Sequence, residues 1–329
     1  MYRKYLSLLL ILFSFIIKDA AQDHWLYGSW DNFFDDHEYR SSLVVRQKMI
    51  GERLDAGLGF TVDTINQIVT GLDYILEYGS NPLALQPVPD IYYKYSIDHF
   101  RAFFGSFPRY KLLNFPLALI KDSFLYYKPN IQGGLMEVNG DWGYQNAFCD
   151  WTGRQSATVH EAFLAGGSGH LKYSIFYFEN YFCMYHYAGL LDLKTPVVDN
   201  GGGAIYFGVD LEGKTFLDKC SFDIGGLGSY NRQRPISYDR KAGLQERASF
   251  FYKYFGVDMF YYSGGKLLLT WGDPFYRYGR YLRADTYLKL VKSKHVDTKL
   301  GWSFHNVFDK TNDNSVYLMI RVDLTSYKN

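Results

Sequence analysis

The chain has 329 residues, 47% hydrophobic and 19% aromatic, with 31 Tyr, 26 Phe and 31 Gly against only 9 Pro. Its 35 basic and 34 acidic residues nearly cancel, leaving a net charge of +1 and no long run of either sign, which excludes a nucleic-acid partner recognised through a basic surface. Cys149, Cys183 and Cys220 are odd in number and lack metal-like spacing, so they read as small apolar side chains rather than a disulfide scaffold or a zinc site.

The first segment, 1–21, carries Arg3 and Lys4, then an apolar run from Leu6 to Ile17, then a polar stretch ending in Ala20 and Ala21. That is the layout of a secretory signal peptide, with cleavage expected before Gln22, and the run is shorter than the ~20 residues of a spanning helix. No later stretch approaches ~18 consecutive apolar residues, so a helical membrane protein is excluded and residues 22–329 are expected to form a single domain.

From there onward, apolar and polar residues alternate with period two in segments of ~10 residues, the length and pattern of a strand crossing an outer membrane. Leu54, Ala56, Leu58 and Phe60 oppose Arg53, Asp55, Gly57 and Gly59. Ile205, Phe207, Val209 and Leu211 oppose Tyr206, Gly208 and Asp210. Toward the C-terminus, Leu282 to Leu290 alternates with Arg283, Asp285, Tyr287 and Lys289, and Val296 to Trp302 with Asp297, Lys299, Gly301 and Ser303. The last segment sets Val316, Leu318, Ile320, Val322 and Leu324 against Tyr317, Met319, Arg321 and Asp323. The pattern predicts about 16 strands, from 24–33 and 51–61 to 295–307 and 314–325. Short turns, among them one at Ser168, alternate with long connections such as 34–50, 107–128 and 265–280. A short helix is expected within 112–127.

The fold class predicted is therefore all-β: a closed antiparallel transmembrane β-barrel with short periplasmic turns and long extracellular loops, an even strand number placing both termini on one side. Hydrocarbon forbids an open sheet edge, so the first strand must pair with the last. The signal peptide, the alternating segments and the closing strand up to Leu324 resemble the porin-like outer-membrane barrels of Gram-negative bacteria over the whole mature chain. The resemblance implies location in the bacterial outer membrane and contact with its lipids. It departs from the usual terminal aromatic, since Thr325 to Asn329 follow the last apolar residue.

With the aliphatic face toward lipid, the lumen would receive Arg53, Asp55, Asp73, Arg101, Asp210, Asp223, Asp258, Arg283, Asp285, Lys289, Asp297, Lys299, Arg321 and Asp323. Hairpin geometry pairs Arg53 with Asp73, and Lys289 with Asp297 or Asp285 with Lys299, so many of these charges are expected to neutralise one another. The remainder would line a pore of slight cation preference. Trp271 to Tyr281, reading WGDPFYRYGRY, offers aromatic, Arg and Asp groups of the kind that bind sugars or narrow a channel.

For chemistry the harvest is thin. No HExxH, CxxC or GxSxG pattern occurs, and the loop DKTNDN at 309–314 lacks the glycine and glutamate of a calcium loop. An outer-membrane lipase would need a histidine beside a serine on the lipid-facing wall, and no segment displays that pair. The expectation is a porin-like channel for small solutes, with a non-conducting binding or structural barrel as the alternative and a lipid-modifying enzyme as the weakest reading. No enzymatic activity, cofactor or metal is expected; partners would be outer-membrane lipids and small solutes or surface glycans.

Overall fold

The computed structural model describes residues 23–323 apart from 41, 43, 83–84, 111, 192–195, 236–237 and 292, and the backbone alone of 23 and 125. The expected signal peptide and Leu324 lie outside the described residues.

Sixteen strands run in chain order: β1 (Asp23–Glu38), β2 (Gln47–Thr61), β3 (Asn66–Glu77), β4 (Val88–Ile97), β5 (Phe100–Pro108), β6 (Asn130–Gly140), β7 (Gly143–Gly153), β8 (Ala162–Tyr173), β9 (Phe176–Tyr187), β10 (Val198–Asp210), β11 (Lys219–Gln233), β12 (Asp239–Tyr252), β13 (Phe255–Gly264), β14 (Arg280–Leu288), β15 (Val296–Val307) and β16 (Thr311–Asp323). Each pairs antiparallel with the next, and β1 also pairs with β16, Ser29 opposite Asp323 and Glu38 opposite Asn314, so the sheet closes without an edge. The outer face is the apolar one: in β2, Leu54 and Leu58 are exposed while Arg53 and Asp55, on either side of Leu54, are buried.

One rim carries the connections 62–65, 98–99, 141–142, 174–175, 211–218, 253–254 and 289–295. The other carries 39–46, 78–87, 109–129, 154–161, 188–197, 234–238, 265–279 and 308–310. The turn expected at Ser168 is absent. Ser168 sits inside β8, fully buried, its backbone N–H and hydroxyl both donating to Asn146 Oδ1 at 2.9 Å, and the chain turns at 174–175 instead. The glycines that suggested a turn there serve close approach: a Cβ on Gly166 would lie 2.0 Å from the Phe182 carbonyl oxygen.

The abundance of both Tyr and Gly has one physical cause. On the inner wall, an aromatic ring from one strand lies across a glycine of its neighbour. A Cβ at Gly208, Gly256 or Gly301 would collide with the rings of Tyr177, Tyr287 and Tyr317 at 2.2–2.3 Å. The rings thicken the wall inward, and glycine is the residue that leaves room for them.

The interior is also filled from above. The 109–129 segment, ending in helix α1 (Asp122–Tyr127), and the 265–279 segment, with a 3-10 turn at Pro274–Tyr278, enter the barrel and join each other through Asp273 N–H to Leu117 carbonyl and Lys121 N–H to Trp271 carbonyl, both 2.8 Å. Leu113, Leu119, Ile120, Phe124, Leu267, Leu269 and Phe275 from these segments pack with Phe107, Leu135, Leu164 and Leu227 from the inner wall into one buried apolar cluster. A core of this kind stands where a 16-strand barrel would otherwise leave a water-filled passage.

Candidate active site

The predicted inner-wall charges are mostly paired, some with one another and some with charges outside the predicted set. Arg53 holds Asp73 through Nε at 2.8 Å with Asn130 alongside, and Asp55 is buried next to them. Arg101 meets Glu137 at 2.8 Å, Asp210 meets Lys172 at 3.1 Å, and Arg321 meets Asp31 at 3.0 Å. Asp223 takes Arg247 at 2.5 Å, and the same guanidinium reaches Glu179 at 2.5 Å. Lys289 and Asp297 stand 3.8 Å apart. The Asp285–Lys299 pairing does not form. Ser303 is the residue opposite Asp285, which takes Arg283 at 2.8 Å from its own strand, while Lys299 lies 4.2 Å above the Tyr287 ring. Asp323 ends the described chain, opposite Ser29.

Where β1, β16, β15, β14 and β13 meet α1 and the 265–279 segment, the filling is incomplete and a cavity of about 470 Å³ remains. Strand register decides which side chains share its wall. Period two puts Asp35 and His37 on the inner face of β1. His37 is opposite Ser315 on β16, Ser315 opposite Ser303 on β15, Ser303 opposite Asp285 on β14, and Asp285 opposite Asp258 on β13. Directly opposed side chains have Cβ atoms about 4.5–5.5 Å apart, so each member of this row stands beside the next.

Asp35, buried, lies 2.8 Å from His37 Nε2, and the Tyr126 hydroxyl from α1 donates to its other oxygen at 3.3 Å. A carboxylate at Nε2 keeps the proton there and leaves Nδ1 as the acceptor. Beyond the serines, His305 is stacked on Phe275 with ring centroids 4.7 Å apart, and its Nδ1 is 2.6 Å from the Tyr281 hydroxyl. That hydroxyl is also 3.3 Å from Asp273, which caps the 3-10 turn by accepting from Phe275 N–H at 3.0 Å. Burial raises the pKa of Asp273, and the nearby Arg283 opposes the rise.

Several buried polar atoms on this wall have no hydrogen-bond partner among the described residues: Ser303 Oγ, His305 Nε2, Asp258 Oδ1 and the Tyr317 hydroxyl. Native interiors satisfy nearly all such groups with protein or water, so this cluster gives the cavity wall free donors and acceptors for whatever polar group enters it. Among the described residues no group of three His, Cys, Asp or Glu side chains is placed to hold a metal ion. The serine and histidine neighbours expected of a lipase on the lipid-facing wall lie on the inner one. His305 continues the polar face read as far as Ser303, and extending that alternation by two residues reveals it. The His37–Ser315 contact needs the register of the closing strands and has no local signal.

The fold is that of outer-membrane porins. OmpT of Vibrio cholerae lacking loop L8 superimposes with a TM-score of 0.56 at 8% identity, over 92% of this chain and 99% of that one. Salmonella typhi OmpF, solved in complex with daunomycin, gives 0.53 at 10% identity over 93% and 99%. Pseudomonas aeruginosa OccK2, in complex with glucuronate, gives 0.51 at 10% over 93% and 99%. No curated protein matches in sequence. The family profile for lipid A 3'-O-deacylase-type proteins matches residues 22–322. Deacylases are enzymes, so the expectation that the chain has no enzymatic activity is overturned. That expectation rested on motifs of soluble folds, which a barrel wall has no reason to contain, and on the lack of a serine–histidine pair on the lipid-facing wall, which says nothing of the inner wall.

Proposed function

This chain belongs to the lipid A 3'-O-deacylase-type family, and from that premise we propose that it is an outer-membrane esterase, exported by removal of residues 1–21, that cleaves an acyl ester of lipid A in the inner-wall cavity. The observation that carries the reading is the unbroken row Asp35–His37–Ser315–Ser303, lying across three adjacent strands. Acyl transfer needs a nucleophile beside a base, a third group to orient the base, and a donor where negative charge develops. Ser315 Oγ attacks the ester carbonyl as His37 Nδ1 takes its proton, with Asp35 holding the ring. The unpartnered Ser303 hydroxyl donates to the oxyanion. The sugar hydroxyl leaves with the proton from His37, and water, activated by the same imidazole, releases the fatty acid and restores the serine.

Access favours the same place. The shortest connection on the long-loop rim, 308–310, joins β15 and β16, the two strands that carry the serines. A lipid headgroup reaches the cavity most readily over that low edge. Passive passage of solutes, the porin-like reading, has less support, because the apolar cluster of the two inward segments occupies the bore.

The test is fatty-acid release from bilayers containing lipid A. Ser315→Ala and His37→Ala are each expected to lower the rate by roughly 10²- to 10⁴-fold, and Asp35→Asn by a comparable factor. Full activity in Ser315→Ala would remove the nucleophile from this assignment.

A further inference from the structure

A second depression, of about 670 Å³, lies across β9 to β12 near the long-loop rim, on the outer face of the wall whose inner face lines the cavity from β13 onward. Its floor is Gly203 and Gly228, its flank on β9 is Phe182 and Met184, and its flank on β12 is Arg240 and Lys241. A Cβ on Gly228 would meet nothing nearer than 3.7 Å, so there the sheet presents bare backbone outward. A smooth apolar trough of this kind matches an extended acyl chain.

The upper end of the trough is charged. Arg232 and Arg240 stack on the Tyr238 ring with centroid distances of 4.8 and 5.0 Å, and Arg232 Nη1 donates to the Tyr238 hydroxyl at 3.0 Å. Neither guanidinium has a carboxylate partner among the described residues. The acids nearby are committed elsewhere: Asp199 accepts from Arg234 at 2.9 and 3.1 Å and pairs with His186 at 2.8 Å, and Asp239 pairs with Lys241 at 2.6 Å. With Arg232, Arg234, Arg240 and Lys241 against Asp199 and Asp239, four positive charges face two negative, a local excess of +2.

We infer that this groove binds a phosphate-bearing lipid from the surrounding membrane, the phosphate on Arg232 and Arg240 and one acyl chain over Gly203 and Gly228. Guanidinium forks match phosphate oxygens bidentately, and the shared aromatic ring holds both forks in place before the lipid arrives. The site requires both chemistries at once, which neither a free anion nor a neutral lipid supplies. It is independent of hydrolysis in the inner cavity.

Native mass spectrometry of the detergent-solubilised barrel reads the site directly, with phosphatidic acid, diacylglycerol of the same chains, and inorganic phosphate as probes. Phosphatidic acid is expected to remain bound, diacylglycerol to bind at least ten-fold more weakly, and inorganic phosphate in ten-fold excess not to displace the lipid. Arg232→Gln with Arg240→Gln is expected to weaken phosphatidic acid binding ten-fold or more, and Gly228→Phe to weaken it with the arginines intact. Equal retention of diacylglycerol, displacement by inorganic phosphate, or undiminished binding in the double arginine variant would each overturn the inference. Should Gly228→Phe fail to fold, the three probes still decide. Because binding is the readout, an inactive cavity leaves this result unaffected.

Discussion

Gly225 and Gly226 are neighbours in the chain with opposite tolerances. A Cβ on Gly225 would sit 1.9 Å from the Ile205 carbonyl oxygen and 2.5 Å from the Tyr206 ring, whereas on Gly226 nothing lies closer than 4.0 Å. Gly225→Ala is therefore expected to lower stability by about 1–3 kcal/mol, the usual range for overpacking, and Gly226→Ala to leave the urea unfolding midpoint nearly unchanged. Equal effects would contradict the inward placement of Tyr206. Asp63, in the 62–65 turn, accepts from Ile65 N–H at 2.8 Å and from Asn66 N–H at 2.6 Å, and its hydrogen bonds, those of the Asn66 side chain foremost, hold its pKa below the usual aspartate range. A depressed carboxylate pKa stabilises the fold at pH above the ordinary aspartate value, and the contribution fades as pH falls through the depressed one. Asp63→Ala is expected to be less stable than the parent at neutral pH, with the gap closing in acid; a gap independent of pH would contradict this. At this scale the Tyr and Gly counts were legible as strand material, but the laying of Tyr287 across Gly256 was not, since it depends on which residues register places side by side.

Among the elements, the 109–129 segment decides whether the bore is open. Its anchor is Arg109, 1% exposed, which pairs with Asp150 at 2.5 Å, donates to the Lys128 and Asn130 carbonyls at 3.1 and 3.2 Å, and stacks 4.8 Å from the Phe124 ring centre. Removing one partner of a buried pair strands the other charge, so Arg109→Ala is expected to cost about 3–5 kcal/mol in denaturant unfolding. Deleting 112–128 is expected to turn a barrel of negligible conductance into one showing steady steps in a planar bilayer. A deletion variant that stays sealed would mean that the 265–279 segment suffices to fill the bore. The chain's alternation located the strands well because each must show one face to lipid and one to the interior, a rule that fails where neighbouring glycines imitate a turn, as around Ser168, and where polar strand ends imitate loops, since 34–38, with Asp35 and His37, and 311–314 are strand rather than connection. The inward course of the loops was not legible, because Leu113, Leu119 and Phe124 have the same apolar character whether a loop packs on its neighbours or enters the barrel. The helix expected within 112–127 forms only over Asp122–Tyr127.

For the whole molecule, a closed wall was dictated by the solvent, since closure follows from pairing every backbone group inside a membrane, while the count of alternating segments set the strand number. What the wall encloses was less evident. Charges such as Arg283 and Asp285 suggested a hydrated pore, yet they are joined to each other, and Arg283 to Asp122 of the inward segment at 3.2 Å, beside a polar pocket. The function proposed for this chain rests on that pocket, whose row from His37 to Ser303 comes from strands at opposite ends of the sequence that meet only when β1 joins β16. The decisive measurement is the mass of lipid A recovered from bilayers after incubation with the purified chain. The account expects loss of one ester-linked acyl unit with the parent and an unchanged mass with Ser315→Ala. Lipid A of unaltered mass in the presence of correctly folded parent protein would contradict it.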